Sequence, residues 1–369
     1  MADTVVTADL ELVKWQSDYW TEYVRESGFN PYMSSSVNAV IQTKRELIDG
    51  GKDLIIPLVG ALRGKGTGAG KLTGNEEPID NFAFRTRPVW RRNAVTVKKS
   101  QQQKAAIDLF RAQKDVLKIW SSDDMRDRMI DALSVVAEDD NRYDEDEGIG
   151  RQVPYIEATA SQRNAFAAAN QFRIQFGNSA SNYSATFATG LGNVNTSTGK
   201  WSAATIDAAK KLARTRNKAT GQRAIRPYRN GSDGKEFYLL FVSTDAMTDL
   251  RNDTDIKAYN KDARPREVES NPYFQDGDLV YRGVIIHEIP ELPSLGPVGG
   301  SSANIDPGYL CGAQAMVVGW GQDPIGTQRK DDDYGFIKGV GTEELRSVDK
   351  TFFNNQQHGI VSIYAARSA

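Results

Sequence analysis

The chain has 369 residues, 25% of them charged and 39% hydrophobic, with a formal net charge of −2. That balance excludes a general nucleic-acid coat or a membrane-surface binder, both of which need surplus positive charge. The lone cysteine, Cys311, excludes an internal disulfide, and no apolar run approaches the ~18 residues of a membrane-spanning helix.

Without an N-terminal basic-then-apolar leader, the glycosylation sequons at Asn182, Asn195 and Asn252 read as chance, and a reducing compartment is expected. In residues 1–50, Leu12, Trp15, Tyr19 and Tyr23 share a helix face, with Trp20 and Val24 beside it. Gly28-Phe29-Asn30-Pro31 stops that helix. Its aromatics suit either docking on the chain's own core or an arm laid on a neighbouring subunit, where aromatic side chains supply most of the contact energy.

Residues 51–99 predict a long β-hairpin. Leu54-Ile55-Ile56-Pro57-Leu58-Val59 is strand-like, with a proline that favours an edge or a bulge. On the return, Phe82, Phe84 and Thr86 alternate with Ala83, Arg85 and Arg87, and Val95 and Val97 continue after Pro88. The glycine-rich tip from Gly60 to Lys71 lacks the spacing of a P-loop and reads first as a flexible hairpin tip. A P-loop places four residues between its first glycine and the Gly-Lys pair, and both registers here have three. Arg63, Lys65, Lys71, Arg85, Arg87, Arg91 and Arg92 make this segment basic, which suits an acidic partner surface or a solvated face.

Lys104 to Ala137 is the organising stretch. Ala105, Ala106, Leu109, Phe110, Ala112, Val116, Leu117, Ile119 and Trp120 fall on one half of a helical wheel, with Lys104, Asp108, Arg111, Lys114, Asp115 and Lys118 opposite and Ile107 alone on the wrong side. Ser121 and Asp124 have capping-box spacing, and a second apolar stripe follows at Met125, Met129, Ala132, Leu133 and Val136. One kinked helix or two helices end to end are expected. The acidic run 138–147 breaks the EF-hand order and reads as a solvated loop.

A short helix opens after Ser202, with Ala203, Ile206, Ala209, Leu212 and Ala213 on its apolar face. Beyond it lies the best nucleic-acid candidate of the chain: Lys210, Lys211, Arg214 and Arg216 begin a basic stretch reaching Arg229 with no acid between. Intersubunit or solvated charge at a helix C-terminus is the competing reading. Residues 236–330 read as an α+β module. Its parts are a strand at 236–242, a helix capped by Ser243 or Thr244, a strand around Gly283, a Pro/Gly-rich loop at 290–300 and a strand at 313–318. The tail returns to β at 334–340 and 359–364. His287 and His358 sit in no metal-ligand spacing, no nucleophile elbow is present, and neither a catalytic residue, a metal nor a cofactor is indicated.

The order of these parts resembles the major capsid (coat) proteins of tailed bacteriophages, whose shell fold is shared with herpesviruses and encapsulins. Local text carries the same resemblance: Gly74-Asn75-Glu76-Glu77-Pro78 after Leu58-Val59-Gly60, the return through Trp90 and Val95-Thr96-Val97, Tyr281 to His287 followed by Ile289-Pro290, and Gly312 to Gly319. The resemblance implies an α+β capsid fold with an N-terminal arm (1–50), an E-loop hairpin (51–99), a peripheral domain with a spine helix (100–140), an axial domain (141–325) and a return to the peripheral domain (326–369). It further implies self-assembly as hexamers and pentamers into an icosahedral virion head around double-stranded DNA, after assembly in the host cytoplasm. The basic hairpin is expected to meet Asp123, Asp124, Asp127 or Asp131 of the next copy, or its 138–147 run. A separate scaffolding protein, a portal and a decoration or cement protein are the implied partners, with DNA contacted non-specifically and no membrane. An encapsulin-like compartment, and a phosphate-binding enzyme using residues 60–71, remain the alternatives.

Overall fold

Glu236–Val242 is apolar at consecutive positions, the pattern of a strand covered on both faces. In the computed structural model, which describes residues 29–62, 64–104, 109–217, 221–229, 235–263, 279–330 and 333–368, it lies inside a seven-stranded sheet. The arm aromatics Trp15, Tyr19, Trp20 and Tyr23, together with Arg63, fall outside these residues. Strand 236–242 pairs parallel to Val284–Glu288 and antiparallel to Ile305–Cys311. Ile360–Ala366 follows, antiparallel to 305–311 and parallel to Ile174–Phe176 at the edge. Period-two alternation divides the sheet's two cores. Tyr238, Leu240 and Val242 face the helices Ala203–Arg214 and Thr244–Asn252 through Ile206, Ala209, Met247 and Leu250. Leu239 and Phe241 face the other way, into a cluster with Met125, Met129 and Leu133. Ser243 caps the helix that follows the strand, its Oγ accepting from the Ala246 N–H.

The second sheet has five strands, in the order Met33–Ser34, Ile41–Lys44, Met316–Gln328, Ile337–Lys350, Val89–Lys98. Here two expectations change. Val95 and Val97 do not prolong the hairpin: Val89–Lys98 pairs antiparallel with 337–346 instead, because Pro88 has no N–H to continue the earlier ladder. The tail, moreover, divides between the sheets, 337–350 closing the five-stranded one and 360–366 entering the seven-stranded one. The strand expected around Gly283 is a tight hairpin, with Arg282 (φ 46°) and Gly283 (φ 76°) forming the left-handed turn between Leu279–Tyr281 and Val284–Glu288.

Leu109–Ser134 is a single helix of 26 residues, about 39 Å long at 1.5 Å per residue. The capping-box reading at Ser121 is therefore overturned. Ser121 and Ser122 face inward, and burial of Met125, Met129 and Leu133 holds the helix through this point. Tertiary packing outweighs a local capping preference. The apolar face is also corrected. Buried positions step by four, Gln113, Leu117, Ser121, Met125, Met129 and Leu133, whereas Val116 and Ile119 are 56% and 58% exposed. Val136 belongs to the strand Val135–Glu138 rather than to the helix.

Candidate assembly interface

The hairpin is a two-stranded ribbon, Leu54–Val59 against Asn81–Thr86, in register from Leu54↔Thr86 to Val59↔Asn81. Such a ribbon is marginal on its own, so its root must be fastened. Phe84 is buried, its ring centroid 6.2 Å from that of Phe353. The buried Thr86 hydroxyl lies 2.6 Å from Ser347 Oγ and donates to Asp349. Arg87 donates from Nε and Nη2 to Asp53 at 2.5 and 3.0 Å. The hydrogen bond from Arg87 holds the Asp53 carboxyl below its usual range. Arg85 Nη2 reaches both oxygens of Asp140, at 2.6 and 2.8 Å. The far half differs. Val59, Leu62, Leu72 and Ile79 are all exposed, and so are Lys65 and Lys71. This tip is stitched to itself: Gly64 N–H donates to Glu77 at 2.6 Å, Gly74 N–H to Glu76 at 2.7 Å, and Asn75 Nδ2 to the Lys71 carbonyl at 2.9 Å. An element anchored by charge at one end and presenting apolar side chains at the other is built to be covered by something else.

The acids expected to receive this hairpin are partly engaged within the chain itself. Asp124 accepts from Arg91 Nε at 3.1 Å, from Arg91 Nη2, and from Arg346 Nη2. Its side chain is 9% exposed and that of Arg346 is 1% exposed. Burial pushes the Asp124 carboxyl up, but the Arg346 and Arg91 guanidiniums outweigh it and leave the group below its ordinary value. Arg346 Nε also donates to Glu344 at 3.0 Å. Gly148 sits against this nest with φ +65°, and a Cβ there would lie 2.8 Å from both Arg91 Nη1 and the Trp90 carbonyl. Asp123 and Asp127 share Arg126, each at 3.0 Å. Asp131 is exposed and lines a small cavity of about 50 Å³ with Arg128 and Arg142. Arg92 lies 3.7 Å from Glu343 in the neighbouring strand. Arg91 and Arg92 thus sit on the five-stranded sheet, and Arg91 meets Asp124 inside one subunit.

The basic segment after the second candidate helix is dispersed. Lys210 Nζ donates to the Arg282 carbonyl, Lys211 and Arg214 are exposed, and Arg216 lines a recess with Val59, Gly60 and Asp80 at the far end of the ribbon. Sequence reasoning missed Arg346 and Glu344, Asp53 and Asp140, and the exposed Val116 and Ile119. The Glu344–Arg346 spacing places both side chains on one strand face, a readable signal. Which face is buried is fixed only by long-range pairing.

The family model described as phage capsid protein matches residues 3–369. A chain of the capsid asymmetric unit of cyanophage Pam1 is 35% identical, covers 100% of both chains and superposes with a TM-score of 0.81. A chain of the capsid of Ralstonia phage GP4 is 22% identical over 93% of this chain and 92% of that one, with a TM-score of 0.72. One from the acid-stable capsid of Helicobacter pylori bacteriophage KHP30 is 14% identical over 92% and 91%, with a TM-score of 0.64. These last two show the fold alone. No curated protein matches the chain. Neither the compartment reading nor the phosphate-binding enzyme is favoured by these likenesses. With the family matched across its length, the chain belongs to the phage capsid proteins and is a structural major capsid subunit of a tailed-phage head.

Proposed function

We propose that copies of this chain join as hexamers and pentamers that tile an icosahedral shell around double-stranded DNA, with the hairpin 54–86 lapping onto a neighbouring copy. The observation that carries this reading is the hairpin's division into a charge-fastened root and an exposed apolar far half. The exposed Val116 and Ile119 of the long helix supply a second apolar surface of the kind such a contact needs. Lys65 and Lys71 are the tip residues left to meet acids of the next copy, since Arg85, Arg87 and Arg91 are engaged at home. Each exposed ion pair adds ~0–1 kcal/mol, and repetition around the shell does the rest. The division into arm, E-loop, peripheral and axial parts is retained, with strand 360–366 shared into the axial sheet. Scaffolding, portal and decoration proteins are the further partners of this reading, assembly takes place in the host cytoplasm, and the near-neutral charge suits weak, non-specific contact with DNA.

Deleting 63–71 tests it. The subunit is expected to keep its circular-dichroism spectrum and unfolding midpoint, while electron microscopy shows no closed shells. Normal shells from the deletion would remove the tip from the interface.

A further inference from the structure

Strand 337–350 buries Thr342, Glu344 and Arg346 at alternate positions against the long helix 109–134. Two contacts fix how these elements lie. Arg346 Nη1 is 3.1 Å from Met125 Sδ, and Lys350 Nζ donates to the Leu133 and Val135 carbonyls at 3.0 and 3.1 Å. From 346 to 350 the strand advances about 13 Å, and from 125 to 133 the helix advances about 12 Å, so the two run side by side in the same direction. Two residues back along the strand and one turn back along the helix, Glu344 stands level with Ser121. The sheet register agrees: Glu344 lies opposite Arg91, and Arg91 donates to Asp124, less than one turn beyond Ser121. Ser121 is 0% exposed and Glu344 1%. Glu344 Oε1 accepts from Arg346 Nε at 3.0 Å. Glu344 Oε2 and Ser121 Oγ are both buried without a hydrogen-bond partner among the described residues.

An ionised carboxylate oxygen buried without a donor is costly, whereas a carboxylic acid satisfies the same atom by donating to a hydroxyl. We propose that Glu344 is a proton-operated clamp between the long helix and the five-stranded sheet. As the acid it donates from Oε2 to Ser121; on ionising it loses that contact and the helix loosens around Ser121. The charges that face Glu344 are Arg346 of its own strand, Arg91 of the strand beside it and Asp124 of the helix. The strand on its other side bulges there, and its Asp323 pairs with Arg45 at the surface. Burial pushes the Glu344 carboxyl up, the Arg346 guanidinium draws it back, and it stands at about 7. The folded value lies above the ordinary 4.5, so the stabilisation is complete below pH 4.5 and is lost as pH rises through 7. The device is internal to one subunit and stands whether or not the hairpin laps onto a neighbour.

The test is hydrogen–deuterium exchange of the full-length unassembled subunit, followed in peptides from 113–125 and corrected for the intrinsic pH dependence of exchange. The fall in protection from pH 6 to pH 8 is expected to be about ten-fold greater in the parent than in Glu344→Gln, whose amide stays neutral and keeps a donor for Ser121. Comparing the two chains cancels the other groups that titrate over this range, Asp349 and Lys350 included. Ser121→Ala removes the acceptor of the acid form, so it lowers the titration midpoint and shrinks the fall; this variant reads the clamp even where Glu344→Gln fails to fold. Equal falls in the parent and in Glu344→Gln overturn the proposal. A fall undiminished in Ser121→Ala overturns it as well. If Thr342→Val diminishes the fall instead, the acceptor is Thr342 Oγ1, also buried without a partner, and the contact lies within the strand rather than across the seam.

Discussion

Asp124→Asn is the sharpest test of how charge is arranged in this subunit. Asp124 was expected to receive arginines from a neighbouring copy, and the structure gives it two from its own chain, Arg91 and Arg346. Arg91 is 17% exposed and can turn to water, whereas Arg346 is 1% exposed and cannot. The substitution removes one of the carboxylates that Arg346 donates to and keeps Glu344, whose carboxyl burial already raises to about 7. Removing one partner of a buried pair costs about 3–5 kcal/mol, and the partial access of Arg91 to water favours the lower end. About 3 kcal/mol is roughly 150-fold in the folding equilibrium, a large share of the 5–15 kcal/mol of a typical domain. Urea unfolding of the unassembled subunit measures it, with Asp127→Asn, exposed and paired at the surface, expected within about 0.5 kcal/mol of the parent. The double variant Asp124→Asn/Arg346→Met should recover part of the loss, because the buried guanidinium is gone and Glu344, already raised to about 7, can stay protonated. An Asp124→Asn subunit as stable as Asp127→Asn, but unable to form shells, would refute the intrachain assignment and return Asp124 to the interface between copies.

Asp349 provides a pH test. Burial raises its carboxyl to about 7 from 3.8, so its contribution is fully present below pH 3.8 and is lost as pH rises through 7. Asp349→Asn should therefore shrink the fall in urea midpoint between pH 5 and 7.5. Lys350 acts oppositely: burial lowers it to about 7 from 10.5, so its contribution is present above pH 10.5 and is lost as pH falls through 7. Lys350→Met should flatten the rise in stability between pH 7.5 and 10. A Cβ at Gly312 would lie 2.4 Å from the Arg226 carbonyl oxygen, and backbone cannot swing aside, so Gly312→Ala is expected to cost about 1–3 kcal/mol in the same assay. Val116→Ser and Ile119→Ser should leave subunit unfolding within about 0.5 kcal/mol of the parent and lower the yield of shells in electron microscopy.

Much of the local structure was legible. The strand 236–242, the Ser243 cap, the helix opening after Ser202 and the two strands of the hairpin all follow from apolar period and turn chemistry, which act within a few residues. The order of parts carried the capsid family, since a fold of this size is spelled out by the succession of its elements even when single motifs are weak. Three things lay beyond the sequence. Helix 109–134 runs through Ser121 because Met125 and Leu133 bind it to two sheets, a pull that a local capping signal cannot reveal. Val116 and Ile119 look like core on a helical wheel, but the buried stripe steps through Leu117 and Ser121, and only the packed sheet selects that stripe. Asp124, Arg91 and Arg346 come together across 222 positions of chain, from 124 to 346, on a helix and two adjacent strands. The residues by themselves determined which segments are strands, helices and turns, because those choices are made by neighbours in sequence. Tertiary structure decided which charges are spent inside the subunit and which apolar side chains remain for the next copy, because burial depends on what the chain brings back from far away.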